Sequence, residues 1–242
     1  MNNSKKAKLR HEKIRDLLQK NDVMKIQDLC RICDVSIATI RNDLTYLEKI
    51  GVLKRVIGGA VSTEGTCRDT IYASRINLFK EEKEKIARYV VDHIIEKNMT
   101  ICLDAGTTNQ YIAQALMEKD IPCKVITNAS NILSTLIKSK NIEIHLIGGK
   151  LNKEHNAFFD RKAIEQAEQY KTDIYFLSPN GIDSHCISLS SRQEAIIKRV
   201  FIENANKVIV VADHSKFNRN AGNYLMDVED VDEFISDTTI DG

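Results

Sequence analysis

The chain has 242 residues, 43% of them hydrophobic and 29% charged, which suits two packed domains of ordinary composition. No run approaches 18 consecutive apolar residues, and the opening MNNSKKAKLRHEK lacks the apolar core of a secretory signal. Neither a membrane span nor export is therefore expected, and the cytoplasm is the expected compartment. The net charge of +1 hides a division: residues 1–62 carry 13 Lys and Arg against 7 Asp and Glu, and the remainder carries 22 against 27. A small basic head on an acidic body suits contact with a polyanion, although Lys-rich N-termini also serve solubility alone.

In chain order, Leu9, Ile14, Leu17 and Leu18 recur at helical spacing. Asn21-Asp22 interrupts them, and Ile26, Leu29, Cys30 and Cys33 mark a short second helix. Asp34-Val35-Ser36 reads as a tight turn with Ser36 as N-cap of a third helix, its hydroxyl accepting from a free first-turn N–H. Ile37, Ile40, Leu44 and Leu47 are predicted to face inward from that helix, and Gly51 to stop it. Residues 52–61 place β-formers around Gly58-Gly59, the pattern of a hairpin. Residues 62–78 are polar without a period and read as a linker, and 79–95 are again helical.

Beyond that point short apolar runs, at 100–103, 124–127, 142–147, 174–177, 207–211 and 233–235, alternate with helical stretches at 109–118, 129–138, 161–170 and 191–204. Such alternation implies a mostly parallel sheet covered on both faces. The two prolines, Pro122 and Pro179, fall at connections. Cys30 and Cys33 form a lone C-x-x-C, with no second pair and no His pair at ligand spacing, so neither a metal nor a cofactor is expected.

On the third helix the inward set leaves Ala38, Thr39, Arg41 and Asn42 facing out near its N-terminal half. Arg can bond guanine O6 and N7, and Asn adenine, in a bidentate way in the major groove. Lys54 and Arg55 in the hairpin are placed for phosphate or minor groove. Here VSIATIRNDLTYLEKIGVLKRVIGGAV resembles the winged helix-turn-helix of the DeoR family of bacterial transcription regulators, matching VSxxTIRRDLxxLExxGxLxRxHGGA without gaps. The resemblance implies a double-stranded DNA operator as partner and Ser36, Ala38, Thr39, Arg41, Asn42, Lys54 and Arg55 as its contacts. Asn42 and Ile57 stand where the family has Arg and His.

The run TICLDAGTT, residues 100–108, is a strand ending in Asp104 and a Gly-Thr-Thr turn before a helix. Free N–H groups at a helix start suit a phosphate, Thr107 and Thr108 add donors, and Asp104 can accept from sugar hydroxyls. A purely structural turn is the equal alternative from these residues alone. LDAGTT, VITNASNI, LIGGK, NGID, EAIIKRV and VADHSKF look like successive motifs of the DeoR C-terminal domain. That resemblance implies a Rossmann-like α/β domain similar to ribose-5-phosphate isomerase, sensing a phosphorylated sugar or related metabolite. It further implies a pocket lined by Asp104, Gly106, Thr107, Thr108, Asn128, Gly148, Gly149, Asp183, Lys198 and Lys216.

Ser178-Pro179-Asn180 and Asp160 depart from the family pattern beside that pocket. The expected organisation is a head at 5–61, a linker at 62–78 and a sensing domain at 79–237. The expected function is a repressor of sugar or related carbon metabolism genes, not an enzyme, acting as a homo-oligomer, dimer or tetramer. A sugar-phosphate isomerase with an accessory head is the alternative. A nucleotide-binding fold lacks both G-x-G-x-x-G and G-x-x-x-x-G-K-[ST].

Overall fold

The computed structural model describes residues 3–20, 23–49, 52–62 and 70–238. Contacts divide the chain into two compact units, Met1–Leu78 and Phe79–Gly242.

The first unit packs α1 (Asn3–Lys20), α2 (Ile26–Cys33) and α3 (Ile37–Lys49) against a three-stranded sheet of β1 (Val23–Lys25), β2 (Leu53–Val56) and β3 (Gly59–Ser62). The strand order is β1-β3-β2, all antiparallel. This is a winged helix. Its core joins Ile14 and Leu18 of α1, Leu29 of α2, Ile40, Leu44 and Leu47 of α3, and Leu53 and Ala60 of the wing. Asp34 ends α2 in the left-handed conformation (φ 52°), its N–H bonded back to the Cys30 carbonyl, which makes the tight turn. Ser36 caps α3, as its spacing predicted, with Oγ accepting from the Thr39 N–H at 3.2 Å.

Two expectations change here. Ile37 does not join the core but stands 49% exposed. As the first residue of α3, it lies beyond the surface that α1 and α2 cover. The hairpin also has a third member, β1, too short to show a period. Its closeness explains Gly59, where a Cβ would come within 2.2 Å of the Met24 carbonyl oxygen. Gly58 holds φ 76° at the hairpin turn, a conformation that glycine takes at no steric cost. Asn21-Asp22 and Gly51 lie outside the described residues. Within the segment read as a linker, residues 63–69 are also outside them, and Thr70–Asn77 form α4.

The second unit begins with α5 (Lys80–His93) and continues β4 (Thr100–Leu103), α6 (Thr107–Lys119), β5 (Cys123–Thr127), α7 (Ser130–Leu136) and β6 (Ile142–Leu146). A small hairpin, β7 (Leu151–Asn152) and β8 (Ala157–Phe158), precedes α8 (Arg161–Ala167) and β9 (Thr172–Leu177). Then come β10 (Gly181–Ile182), β11 (Cys186–Leu189), α9 (Arg192–Glu203), β12 (Ala205–Val211), β13 (Asn223–Asp227) and β14 (Glu233–Ile235).

Six strands form one parallel sheet in the order β14-β12-β9-β4-β5-β6. The inner strands β4, β5, β9 and β12 are mostly apolar and buried, as expected of strands covered on both faces. The chain runs outward from β4 to β6 and then returns to β9 on the other side of β4. The order therefore reverses between β4 and β9, where open α/β sheets bind ligands beyond the strand carboxyl ends. A second sheet, β10-β11-β13, is antiparallel and was not foreseen.

Candidate functional site

In the winged helix, Ser36, Ala38, Arg41 and Asn42 are exposed and Thr39 half-buried. The Arg41, Asn42 and Lys54 side chains have no protein partner among the described residues. Arg55 differs: its guanidinium donates to Thr45 Oγ1 at 2.6 Å, and its N–H donates to Glu48 Oε1 at 2.7 Å. It thereby ties the wing to the exposed side of α3. Asp43, next to the reading residues, turns inward. Arg10 donates to both its oxygens (2.5 and 3.0 Å), and His11 Nε2 lies 2.8 Å from Oδ1. Burial alone would raise the Asp43 pKa, but the bonds from Arg10 and His11 outweigh it and hold the carboxylate below its usual range. The clasp fixes α3 on α1 and so sets the direction of the reading face. Cys30 and Cys33 are half-buried thiols against the core.

In the second unit the parallel sheet brings the expected residues to one edge. Asp104 follows β4, Asn128 β5, Gly148 and Gly149 β6, Ser178 β9, and Lys216 β12. Asp104 and Lys198 meet at the reversal point, both closed off from solvent. Asp104 Oδ1 accepts from the Gly106 N–H (2.8 Å) and Asn109 Nδ2 (2.9 Å). Its Oδ2 accepts from the Tyr175 hydroxyl (2.7 Å) and the Ser178 N–H (3.2 Å). Lys198 Nζ reaches Asp104 Oδ2 at 3.0 Å, Glu194 Oε1 at 2.9 Å and the Ser178 carbonyl at 2.6 Å. Burial pulls the Lys198 pKa down, but the two carboxylates outweigh it and hold the ammonium above its usual value. Burial pushes the Tyr175 phenol well up, so it stays a donor to Asp104.

All three ammonium hydrogens and both Asp104 oxygens are thus used within the protein. In this geometry Asp104 and Lys198, both expected to line the pocket, bind each other and the surrounding loops. The sequence held the signal in α9: Lys198 lies between Ala195 and Phe201 on the buried face, with Glu194 one turn before it. Tyr175, Glu194 and Asn109 are members of the network that sequence reasoning missed.

Gly106 sits where the β4–α6 turn passes closest to the β9 loop, and a Cβ there would fall 2.1 Å from the Ser178 Cβ. The N–H groups of Thr107, Thr108 and Asn109, opening α6, have no acceptor among the described residues. Thr108 is buried and Thr107 half-buried. Asn128 is buried, with Nδ2 donating to the Phe158 carbonyl. The Gly148 N–H is taken by Gln166 Oε1 at 3.0 Å. Gly149 lies against Asp160, whose buried Oδ1 has no partner among the described residues.

Asp183 lies in the β10–β11 turn, beside the loop after β12 that carries Lys216. Its Oδ1 accepts from the His185 and Cys186 N–H groups across the β10–β11 turn, and Oδ2 from Asn220. These bonds lower its pKa to about 2. Its task here is to close a hairpin. Lys216 lies half-buried in a short 3-10 turn capped by Asp213. Among the described residues, no group of three or more His, Cys, Asp or Glu could hold a metal, and no helix is long and apolar enough to cross a membrane.

A winged helix with free donors on its third helix, carried on one chain with a parallel α/β domain organised around a switch point, is the build of a ligand-responsive DNA-binding regulator. Residues 10–66 match the DeoR-like helix-turn-helix domain, and residues 79–238 the DeoR C terminal sensor domain. The chain is 33% identical over 224 residues to the HTH-type transcriptional repressor GlcR of Bacillus subtilis, covering 93% of this chain and 86% of that one. It is 32% identical over 229 residues to the glycerol-3-phosphate regulon repressor of Escherichia coli, covering 94% and 90%. A solved ribose 5-phosphate isomerase A from Methanocaldococcus jannaschii aligns with 57% of this chain and 55% of its own, at 16% identity and TM-score 0.42. The chain belongs to the DeoR family: it is a transcription regulator with a DNA-binding head, not an enzyme.

Proposed function

We propose that this regulator represses genes of sugar or related carbon metabolism and that a phosphorylated sugar changes its affinity for the operator. The single observation behind the effector reading is the start of α6. Three N–H groups without an acceptor among the described residues open at the strand-order reversal, where the helix dipole favours a dianion. Gly106, Thr107 and Thr108 cradle the phosphate, Asn128, Gly148 and Gly149 line the sugar side, and Lys216 adds charge. Asp104 and Lys198 act one step back, holding the turn that presents those N–H groups. The relatives named as the transcriptional repressor GlcR and the glycerol-3-phosphate regulon repressor support the repressor reading.

At the other end, α3 enters the major groove. Arg41 addresses guanine and Asn42 adenine, with Ser36, Ala38 and Thr39 beside them, while Lys54 and Arg55 flank the phosphates. A dimer or tetramer in the cytoplasm binds paired half-sites, and the working boundaries are 5–61 for the head and 79–237 for the sensor. The test is calorimetry of the full chain against a panel of sugar phosphates, followed by gel shifts with any ligand found. Binding of one of them together with a changed operator affinity is the expected result. Absence of binding below millimolar concentration would remove the phosphorylated effector.

A further inference from the structure

Ile37 opens α3 with about half its surface in water, while the rest of the apolar seam of that helix, Ile40, Leu44 and Leu47, is closed. The helical period puts Ile37, Arg41 and Thr45 on one line a turn apart, with Ala38 and Asn42 on the adjoining one. An exposed branched hydrocarbon thus stands one turn before an arginine that has no protein partner among the described residues, on a head that carries six more basic than acidic residues. What such a face meets is a polyanion, and the apolar group that a base pair offers in the major groove is the C5-methyl of thymine.

We infer that Ile37 is a specificity residue, packing on a thymine methyl in each operator half-site. The inference rests on the reading that α3 lies in the major groove. Four residues of helix span roughly 6 Å, close to two base-pair steps of about 3.4 Å. The thymine therefore lies one or two base pairs from the guanine that Arg41 addresses.

The operator is first obtained by in vitro selection with the full chain. Each thymine of a half-site is then replaced in turn by uracil, which removes the methyl group and leaves every hydrogen bond. Binding should weaken about three- to fivefold at one position, the cost of one lost methyl-sized contact, and stay unchanged at the others. Ile37→Ala should lose a similar factor on the thymine operator and be indifferent to uracil at that position, with its melting temperature unchanged. Ile37→Val should fall between the two.

If the wild type ignores uracil at every position, or if Ile37→Ala still senses it, the inference is overturned. If Arg41→Ala still loses sequence preference in that case, α3 stays in the groove without Ile37. If Ile37→Ala instead changes the oligomeric state by sedimentation, the side chain serves a protein contact and the inference also falls.

Discussion

The head and the sensor use charged side chains in opposite ways. Arg41 and Asn42 on α3 and Lys54 on β2 stand exposed with no protein partner among the described residues, while Asp43, on the inner side of α3, is clasped. At the sheet edge, Asp104 and Lys198 are buried and satisfied, and Asp183 is spent on a turn. A surface that reads DNA must keep its donors for a partner that arrives later. A crevice built from loops of distant strands needs charges to hold those loops. Identity of residue type therefore says little about role: an arginine in one region is left exposed without a partner among the described residues, and a lysine in the other fastens.

The sharpest way to break this contrast is at Lys198. Lys198→Met leaves Asp104 and Glu194 buried without their cation and should cost about 3–5 kcal/mol, read as a lower urea midpoint. An unchanged midpoint would mean that Lys198 is not a fastening. Arg41→Ala is the opposite case. Its melting temperature should barely move, while gel shifts should show about 1–3 kcal/mol lost per half-site.

Gly106→Ala should cost about 1–3 kcal/mol through overpacking against Ser178 and weaken effector binding with it, measured by calorimetry on the same preparation.

Asp43→Asn should cost about 1 kcal/mol, since the clasp is only partly shielded from water. The folded-state pKa of Asp43 is lowered, so its contribution is present above the unfolded value of about 3.9 and is lost as pH falls through the folded value. Wild type and Asp43→Asn should therefore differ in urea midpoint at pH 7 and converge below about pH 4.

The smallest effect is expected from Lys54→Ala. It should reduce the slope of log affinity against log salt by about 0.9 for each half-site and leave the preferred sequence unchanged.

The inner strands of the parallel sheet were legible because burial on both faces makes them mostly apolar, and β4 and β14 fall at the foreseen residues. The winged helix was legible through Ser36, the α3 seam and Gly58-Gly59. Elements of two to five residues, β1, β7, β8, β10, β11 and β13, were not, because they are too short to show a period, and β1 and β13 also owe their form to partners far along the chain. Ile37 misled because it continues the spacing of the seam, and periodicity does not say where the covering helices stop. For the site, the parallel topology delivered Asp104, Asn128, Gly148 and Lys216 to one edge as foreseen. The α9 pattern shows that Lys198 is buried one turn after Glu194, but nothing local tells that it also meets Asp104, far back in the chain.

The reversal between β4 and β9 also has a kinetic side. Tyr175 and Ser178 reach Asp104 across 71 and 74 residues of chain, whereas the Asp43 clasp spans 32 and 33. Contacts of long sequence separation form late, and a ribosome adding about 5–20 residues per second needs roughly five to twenty-five seconds to go from the end of β3 to the end of β9. During that interval the nascent chain carries a head able to fold and no finished crevice. Mutations that slow closure of the sheet should lengthen that interval without altering any residue of the head.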